Sequence, residues 1–149
     1  MANGNDKDFT HLSARGEPAM VNVDGKPQTY RTATARAIIN PGAEVMRHLN
    51  GNEIRVPKGP VFQTAVIAGI MAAKRTSELI PLCHPLGLDD CKIDIRVNDS
   101  NEVIVECKAS LTAKTGVEME ALTGASVAAL TIYDMCKALS HDIVIREIR

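Results

Sequence analysis

The stretch TGVEMEALTGASVAALTIYDMCKALS, residues 115–140, decides the fold of this chain. Its alanines favour a helix, and Thr115 with Glu118 three residues later matches a capping box, which predicts a helix start at Thr115. At about 100° per residue, one narrow face is mostly polar and the rest of the cylinder is apolar. That face carries Glu120, Thr123, Val127, Thr131 and Asp134, with Lys137 at its edge. We expect it to meet a site or another subunit rather than bulk water.

The composition indicates one folded domain without a broad basic surface. The chain has 149 residues, enough for a single core, and its aromatic content of 3% means that this core must use Ala, Val, Ile, Leu and Met. A net charge of -1 gives no field that would attract nucleic acid. No apolar run is long enough to span a membrane, so we expect no membrane partner.

The cysteines and the N-terminus give an expectation for the cellular compartment of the protein. The four cysteines include no CxxC pair, which indicates a reducing compartment. The first ten residues carry neither an apolar signal region nor an Arg-rich transit pattern. We expect a cytoplasmic protein, or a mitochondrial one if a transit peptide has been processed in a eukaryote.

The remaining pattern predicts an α+β fold. Residues 1–19 are polar and expected to be flexible, and residues 20–149 are expected to form one domain. Strands are predicted at 29–39, 92–97, 102–111 and 142–148, with a short extended stretch at 20–26. Helices are predicted at 40–50, 61–78 and 115–140, and a loop at 52–60. This order is the ferredoxin-like pattern, an antiparallel sheet with two long helices packed on one face.

Two prolines, Pro81 and Pro85, frame Cys83 and His84 in the string LIPLCHPL and forbid a regular helix there. Neighbours in an extended segment point to opposite sides, so this pair is a poor joint metal ligand. No second Cys or His stands at zinc spacing either. For His84, a packed structural histidine and a fixed site imidazole both remain open, whereas Cys83 is interpreted as a packed thiol.

The charged residues also have two interpretations. Asp134 and Lys137 are spaced i,i+3 and can form a plain helix salt bridge or a lysine held by a carboxylate for proton transfer. Five further cations lie near loops and helix ends and would make a phosphate site if several converge. These cations are Lys26, Lys58, Lys74, Arg75 and Lys114. From the residues alone, the hypothesis is a small α+β domain with a polar site between helix and sheet.

Longer strings resemble a known family. LIPLCHPL (79–86), KTGVEMEALT (114–123) and SVAALTIYDMCKA (126–138) together resemble the MoaC family, the cyclic pyranopterin monophosphate synthases of molybdenum cofactor biosynthesis. MVNVDGKPQTYR (20–31), KGPVF (58–62) and AVIAGIMAAKRT (65–76) fit as well. The resemblance covers residues 20–149.

The resemblance implies a fold, an assembly and a reaction. It implies the ferredoxin-like fold and a homohexamer, a trimer of dimers with sites at the dimer interface. It also implies conversion of 3′,8-cyclo-7,8-dihydroguanosine 5′-triphosphate to cyclic pyranopterin monophosphate with release of diphosphate. Neither a metal nor an organic cofactor is implied.

By position, the resemblance also assigns the site residues. The catalytic assignments are Asp134, Lys58 and Lys137, with the two lysines as acid and base if the pKa of one is depressed by neighbouring cations. The substrate-binding assignments are Leu82, Cys83, His84, Met119, Glu120 and Lys26.

The chain departs from the family pattern at two positions. Asn22 stands where the family has Asp, and Pro60 stands where the family has the Asp of KGD. The family pattern also continues beyond Arg149 into a Gly-Gly-Lys tail that contributes a site lysine. Asn22 and this tail motivate an alternative, a non-catalytic nucleotide-binding paralogue that retains the oligomer and the pocket. A metal-dependent hydrolase is a more distant alternative.

Overall fold

The structure of the protein, a computed structural model, describes residues 10–149. The first nine residues of the segment predicted to be flexible lie outside the described residues. The rest of that segment forms turns and a β-bridge between Leu12 and Pro18. None of the helices in residues 10–149 is long and apolar enough to cross a bilayer.

The described residues form seven strands and four helices. In chain order these are β1 (Thr29–Asn40), α1 (Gly42–Met46), β2 (Leu49–Asn50), β3 (Glu53–Val56), β4 (Gly59–Pro60), α2 (Val61–Ala73), α3 (Thr76–Leu79), β5 (Asp90–Val97), β6 (Val103–Ala113), α4 (Glu118–Cys136) and β7 (Val144–Ile148).

The main sheet confirms the predicted ferredoxin-like fold. Its strands lie in the order β5-β6-β1-β7, and every neighbouring pair is antiparallel. If these four strands are numbered 1 to 4 along the chain and the sheet is read from β7 to β5, their order is 4-1-3-2. The split βαβ pattern produces this order. Alternate residues of β1 face the helices and are buried, as Ala35, Ala37 and Ile39 show.

The two long helices, α2 and α4, cover one face of the sheet and run antiparallel to each other. They touch where Gly69 and Ala73 of α2 meet Gly124 and Ala128 of α4. A Cβ atom on Gly69 would lie 2.8 Å from the carbonyl oxygen of Gly124, so the helices approach closely because both glycines lack a side chain. Small residues therefore form the interface between the two helices.

Between β1 and α2 the structure differs from the prediction. The predicted helix at 40–50 is only α1, and β2 follows it. Gly51, at φ 60°, allows a tight turn so that Asn50 pairs with Glu53. The predicted loop at 52–60 contains β3 and β4, which pair with each other. The predictions for 40–50 and 52–60 were therefore wrong in part, because a short hairpin leaves little periodic signal.

Three further boundaries differ. The predicted extended stretch at 20–26 holds a turn rather than a strand. The predicted helix at 61–78 divides into α2 and α3 at Lys74 and Arg75. The predicted capping box is wrong: α4 begins at Glu118, its N-cap is Val117, and no side chain caps it. Val117 is buried in the core, so packing sets the start of this helix.

Candidate active site

A cavity of about 310 Å³ lies at the N-terminal end of α4. Its walls come from the first turn of α4, the segment after α3 and the residues before β1. All six residues assigned to substrate binding line it: Lys26, Leu82, Cys83, His84, Met119 and Glu120. The structure thus brings together in one cavity side chains that lie up to 94 positions apart in the chain.

The segment before β1 is held over the cavity by two hydrogen bonds. Nε2 of His84 lies 2.7 Å from the carbonyl oxygen of Val21, and Nζ of Lys114 donates to the carbonyl oxygen of Asp24 over 3.0 Å. A carbonyl only accepts, so Nε2 of His84 carries the proton. His84 is therefore a structural anchor and a cavity residue at once, and Nδ1 is the nitrogen that can act toward a ligand.

Glu120 is the acidic group of the cavity and is only 4% exposed. Burial raises the pKa of its carboxyl group, the charge of Glu118 raises it further, and a hydrogen bond from its own backbone opposes both. Burial, followed by the charge of Glu120, also raises the pKa of Cys83. Burial in the cavity therefore disfavours charge on both the Glu120 carboxyl group and the Cys83 thiol.

The three residues assigned to catalysis form a second cluster at the other end of α4. Nζ of Lys58 lies 3.2 Å from Oδ2 of Asp134, and Nζ of Lys137 lies 2.8 Å from Oδ1. The hydrogen bonds from Lys137 and Lys58 lower the pKa of Asp134, and Asp134 in turn raises the pKa of Lys137. Lys137 is therefore a cation at neutral pH and does not have the depressed pKa expected for a base.

Lys58 reaches this cluster from a hairpin. Val56 pairs with Gly59 across β3 and β4, so Pro57 and Lys58 form a two-residue turn. Gly59 adopts φ 121°, which a residue with a side chain rarely tolerates. The string KGP thus presents the lysine at the tip of a tight turn facing the last turns of α4.

Both departures from the family pattern have a structural counterpart. Oδ1 of Asn22 accepts the backbone N–H of Asp24 over 2.8 Å, a contact that an aspartate oxygen would make equally well. Pro60 is the N-cap of α2 and supplies no side-chain hydrogen bond. Instead the carboxylate of Glu53 accepts the N–H groups of Phe62 and Gln63 over 2.8 and 3.1 Å.

The two clusters cannot meet within one chain. Glu120 and Asp134 are separated by fourteen positions on one helix, which is about 21 Å at 1.5 Å per residue. General acids and bases act within hydrogen-bond reach of the proton that they move. One copy of the chain therefore carries the cavity at one end of α4 and the lysine–aspartate cluster at the other.

Sequence reasoning missed several cavity residues. Glu118 was interpreted as a capping residue, but its carboxylate turns over Gly116 and lines the cavity. Thr10 and His11 also line it, although they lie in the segment predicted to be flexible. Nothing in the local sequence marks Thr10 or His11 as cavity residues.

Among residues 10–149, no group of three or more His, Cys, Asp or Glu side chains is arranged to hold a metal ion. All four cysteines are free thiols. Of the residues that the structure describes, Lys26 is the only lysine or arginine that lines the cavity, whereas Lys114 is engaged with Asp24 and Lys58 lies at the far end of α4. Within the described part of the chain, Lys26 is therefore the lysine that can meet a phosphate in this cavity.

Known proteins resemble this chain along most of its length. The profile of the MoaC family matches residues 20–149. The chain is 53% identical over 137 residues to the cyclic pyranopterin monophosphate synthase of Xanthomonas oryzae pv. oryzae, covering 92% of this chain and 83% of that protein. It is 51% identical over 144 residues to the synthase of Xanthomonas axonopodis pv. citri, covering 97% and 87%.

A longer relative shows the same similarity. Molybdenum cofactor biosynthesis protein 1 of Dictyostelium discoideum is 48% identical over 157 residues, which covers 94% of this chain and 25% of that protein. The chain thus spans about a quarter of this relative and more than four fifths of the two bacterial ones. With the family strings on α2, α4 and the segment after α3, these matches show that the chain belongs to the MoaC family.

Proposed function

We propose that this protein is a cyclic pyranopterin monophosphate synthase whose active site joins the α4 cavity of one copy to the lysine–aspartate cluster of another. The activity rests on membership of the MoaC family and on relatives that carry this name. The observation that carries the site is the single cavity lined by all six substrate-binding candidates.

The proposed substrate is the cyclised dihydro-GTP, and the cavity offers matching chemistry. A guanine-derived ring presents carbonyl and nitrogen atoms, and the carboxyl group of Glu120 and the imidazole of His84 can form hydrogen bonds with them. Lys26 lies at the same cavity and can hold a phosphate oxygen as a point charge. These contacts would orient the substrate before any bond changes.

The reaction needs two kinds of help from side chains. Opening and reclosing the ring moves protons on nitrogen and oxygen, and positioned acids and bases supply that transfer. A ribose hydroxyl then attacks the α-phosphorus, the bond from the α-phosphorus to the bridging oxygen breaks, and diphosphate leaves with the electron pair. Cations near the leaving group stabilise the charge that develops.

The lysine–aspartate cluster suits the stabilisation of charge on the leaving diphosphate and part of the proton transfer. Lys137 stays protonated because Asp134 raises its pKa, so we assign it the role of general acid or charge stabiliser. Asp134 holds both ammonium groups at fixed positions. Lys58 is the remaining lysine that we assign to proton transfer.

A composite site accounts for the separation of the two clusters. With about 21 Å of helix between them, only a second copy can place the cluster next to the cavity. A dimer with such sites is the smallest assembly that works, and a hexamer built as a trimer of dimers is our proposal for the full oligomer. Four free thiols suit a reducing compartment, and we propose the cytoplasm, or the mitochondrion if a transit peptide has been processed in a eukaryote.

Complementation between two inactive variants tests this proposal. Lys58→Ala disables the cluster and His84→Ala disables the cavity, so each homo-oligomer should be nearly inactive. Mixed oligomers formed after joint refolding contain one composite site with both wild-type residues, and we expect diphosphate release to reappear. If mixed oligomers form and release no diphosphate, the composite site is wrong.

The alternative is a non-catalytic nucleotide-binding paralogue. Asn22 and the Gly-Gly-Lys tail of the family pattern motivated it. Asn22 makes the turn contact that an aspartate would make, and the relatives with about half identical residues are named as synthases. Turnover of the cyclised dihydro-GTP separates the two functions. Substrate binding without any diphosphate release would favour the paralogue.

A further inference from the structure

Glu53 joins the two elements that flank the turn of Lys58. It begins β3, and its Oε1 accepts the N–H groups of Ile54 and Phe62, each over 2.8 Å. Its Oε2 accepts the N–H of Gln63 over 3.1 Å. One carboxylate thus receives three backbone hydrogen bonds from two elements, β3 and the first turn of α2.

This contact replaces a missing cap. The N-cap residue of α2 is Pro60, which has no side-chain acceptor for the free N–H groups of the first turn. A carboxylate at this end is also favoured by the helix dipole. Because Glu53 comes from a different element, its contact does more than cap the helix: it fixes β3 to the start of α2.

Lys58 lies between the two elements that Glu53 joins. The turn that carries Lys58 connects β3 to β4, and β4 leads directly into α2. The ammonium group of Lys58 reaches Asp134 on a long side chain that is 53% exposed. The position of this ammonium group therefore depends on the backbone position of Lys58. Fixing β3 to α2 fixes both ends of that turn.

Glu53 is also close to the end of α4. Burial, followed by the charge of Glu53, raises the pKa of Cys136 to about 11, and Cys136 lies two residues after Asp134. Cys136 is buried whereas Asp134 is exposed, so Glu53 acts on the inner side of the last turn of α4 and not on the cluster directly.

We propose that Glu53 is a positioning residue for Lys58, which it serves by fixing the β3–β4 hairpin to the first turn of α2. Glu53 does not touch the substrate. The inference rests on the proposed function, because it assigns Lys58 to the reaction. Small errors in the position of a catalytic group cost large factors in rate, so the loss of this contact should lower kcat while KM changes little.

Two variants separate positioning from simple helix capping. Glu53→Ala removes both the cap and the link from β3, and we expect a lower melting temperature and a kcat reduced by roughly tenfold. Adding Pro60→Asp restores a cap, since Asp at this position accepts the N–H groups of the first turn, but it restores no link from β3. The double variant should recover its melting temperature while kcat remains low.

The control is Glu44→Ala, which removes an exposed glutamate paired with Arg47 on α1 and should leave both kcat and KM unchanged. In a Lys58→Ala background, Glu53→Ala should lower kcat no further, because the residue to be positioned is gone. Recovery of kcat together with the melting temperature in the double variant would overturn the proposal, as would independent losses in the Lys58→Ala background. If Lys58→Ala itself retains full kcat, the assigned role of Lys58 fails instead.

Discussion

The Nζ atom of Lys58 lies 3.2 Å from Oδ2 of Asp134 and 3.2 Å from the main-chain carbonyl oxygen of the same residue. Lys137 approaches the other carboxylate oxygen at 2.8 Å. All three side chains are more than half exposed, and exposed ion pairs contribute at most about 1 kcal/mol to stability. These ion pairs therefore contribute little to the stability of the fold, and their arrangement favours a role in binding or catalysis.

Replacing the lysines distinguishes proton transfer from charge neutralisation. We expect Lys58→Ala and Lys137→Ala each to lower the rate of diphosphate release by roughly 10²-fold or more while the subunits still assemble. The Arg variants should not recover, because a guanidinium stays charged and serves poorly as acid or base near neutral pH. Near-normal release by both Arg variants would leave the lysines as phosphate ligands only.

Lys92 provides the matched control for these variants. It forms an exposed ion pair with Asp90 on β5 at 3.6 Å, away from both clusters in the sequence and on a different element. Lys92→Ala and Lys92→Arg should both keep the wild-type rate. A similar loss at Lys92 would mean that the lysine variants act through net charge.

The buried carboxyl group of Glu120 should make stability depend on pH. Its pKa is raised in the folded state by burial, so its contribution is most favourable below the ordinary glutamate value of 4.5 and is lost as the pH rises through the folded value. Glu120→Gln removes this titration. The free energy of unfolding of the variant, relative to the wild type, should therefore increase between pH 4 and pH 8.

Denaturant unfolding at several pH values measures this difference. Glu78→Gln is the control, because Glu78 also lies in the first turn of a helix but is exposed. Its stability relative to the wild type should change little with pH. A relative stability of Glu120→Gln that is flat over this pH range would show that the carboxyl group of Glu120 titrates normally.

Periodicity predicted the parts of the fold that depend on neighbours in the chain. The alternation in β1, the hairpin of β5 and β6, and a long helix α4 all appear as expected, although α4 is shorter at both ends than the predicted 115–140. The start of α4 did not follow, since the buried Val117 decided it rather than a local capping pattern. The hairpin that carries Lys58 was missed because its stabilising contact, from Glu53 to Phe62, joins separate elements.

The candidate site shows the same division between features that local patterns predict and features that depend on contacts between distant residues. The residues alone left His84 open between a structural and a functional role, and only the family strings assigned it. The contact that anchors His84 comes from Val21, 63 positions away in the chain, and no local pattern reports a partner at that distance. Thr10 and His11 were missed at the cavity for the same reason.

The close approach of α2 and α4 should be sensitive to a single methyl group. A Cβ on Gly69 would lie 2.8 Å from the carbonyl oxygen of Gly124 and 3.2 Å from Cβ of Ala128, and it would also clash with Ile93. Gly69→Ala should therefore lower the free energy of unfolding by about 1–3 kcal/mol. Thermal or denaturant unfolding measures the loss.

Gly87→Ala is the control for that variant. A Cβ at Gly87 meets no atom within 4 Å among the described residues, and its backbone is not in the left-handed region. Its stability should match the wild type or slightly exceed it. Equal stability of both alanine variants would mean that the helices can separate at no cost.

The thiols provide a direct test of whether the α4 cavity binds a nucleotide. Burial raises the pKa of Cys83, whereas a hydrogen bond with Cys107 lowers the pKa of Cys91, which is also half-buried. Because the thiolate is the form that reacts, iodoacetamide at pH 7 should modify Cys91 faster than Cys83. Raising the pH should accelerate the reaction of Cys83 more, since its thiolate is scarcer at pH 7.

GTP, which shares the base and triphosphate of the proposed substrate, should then protect Cys83 and leave Cys91 unchanged, because only Cys83 lines the cavity. Peptide mass spectrometry reads both sites in one sample, so Cys91 is an internal control for reagent loss. Equal protection of the two cysteines, or none at Cys83 with saturating GTP, would place the nucleotide elsewhere.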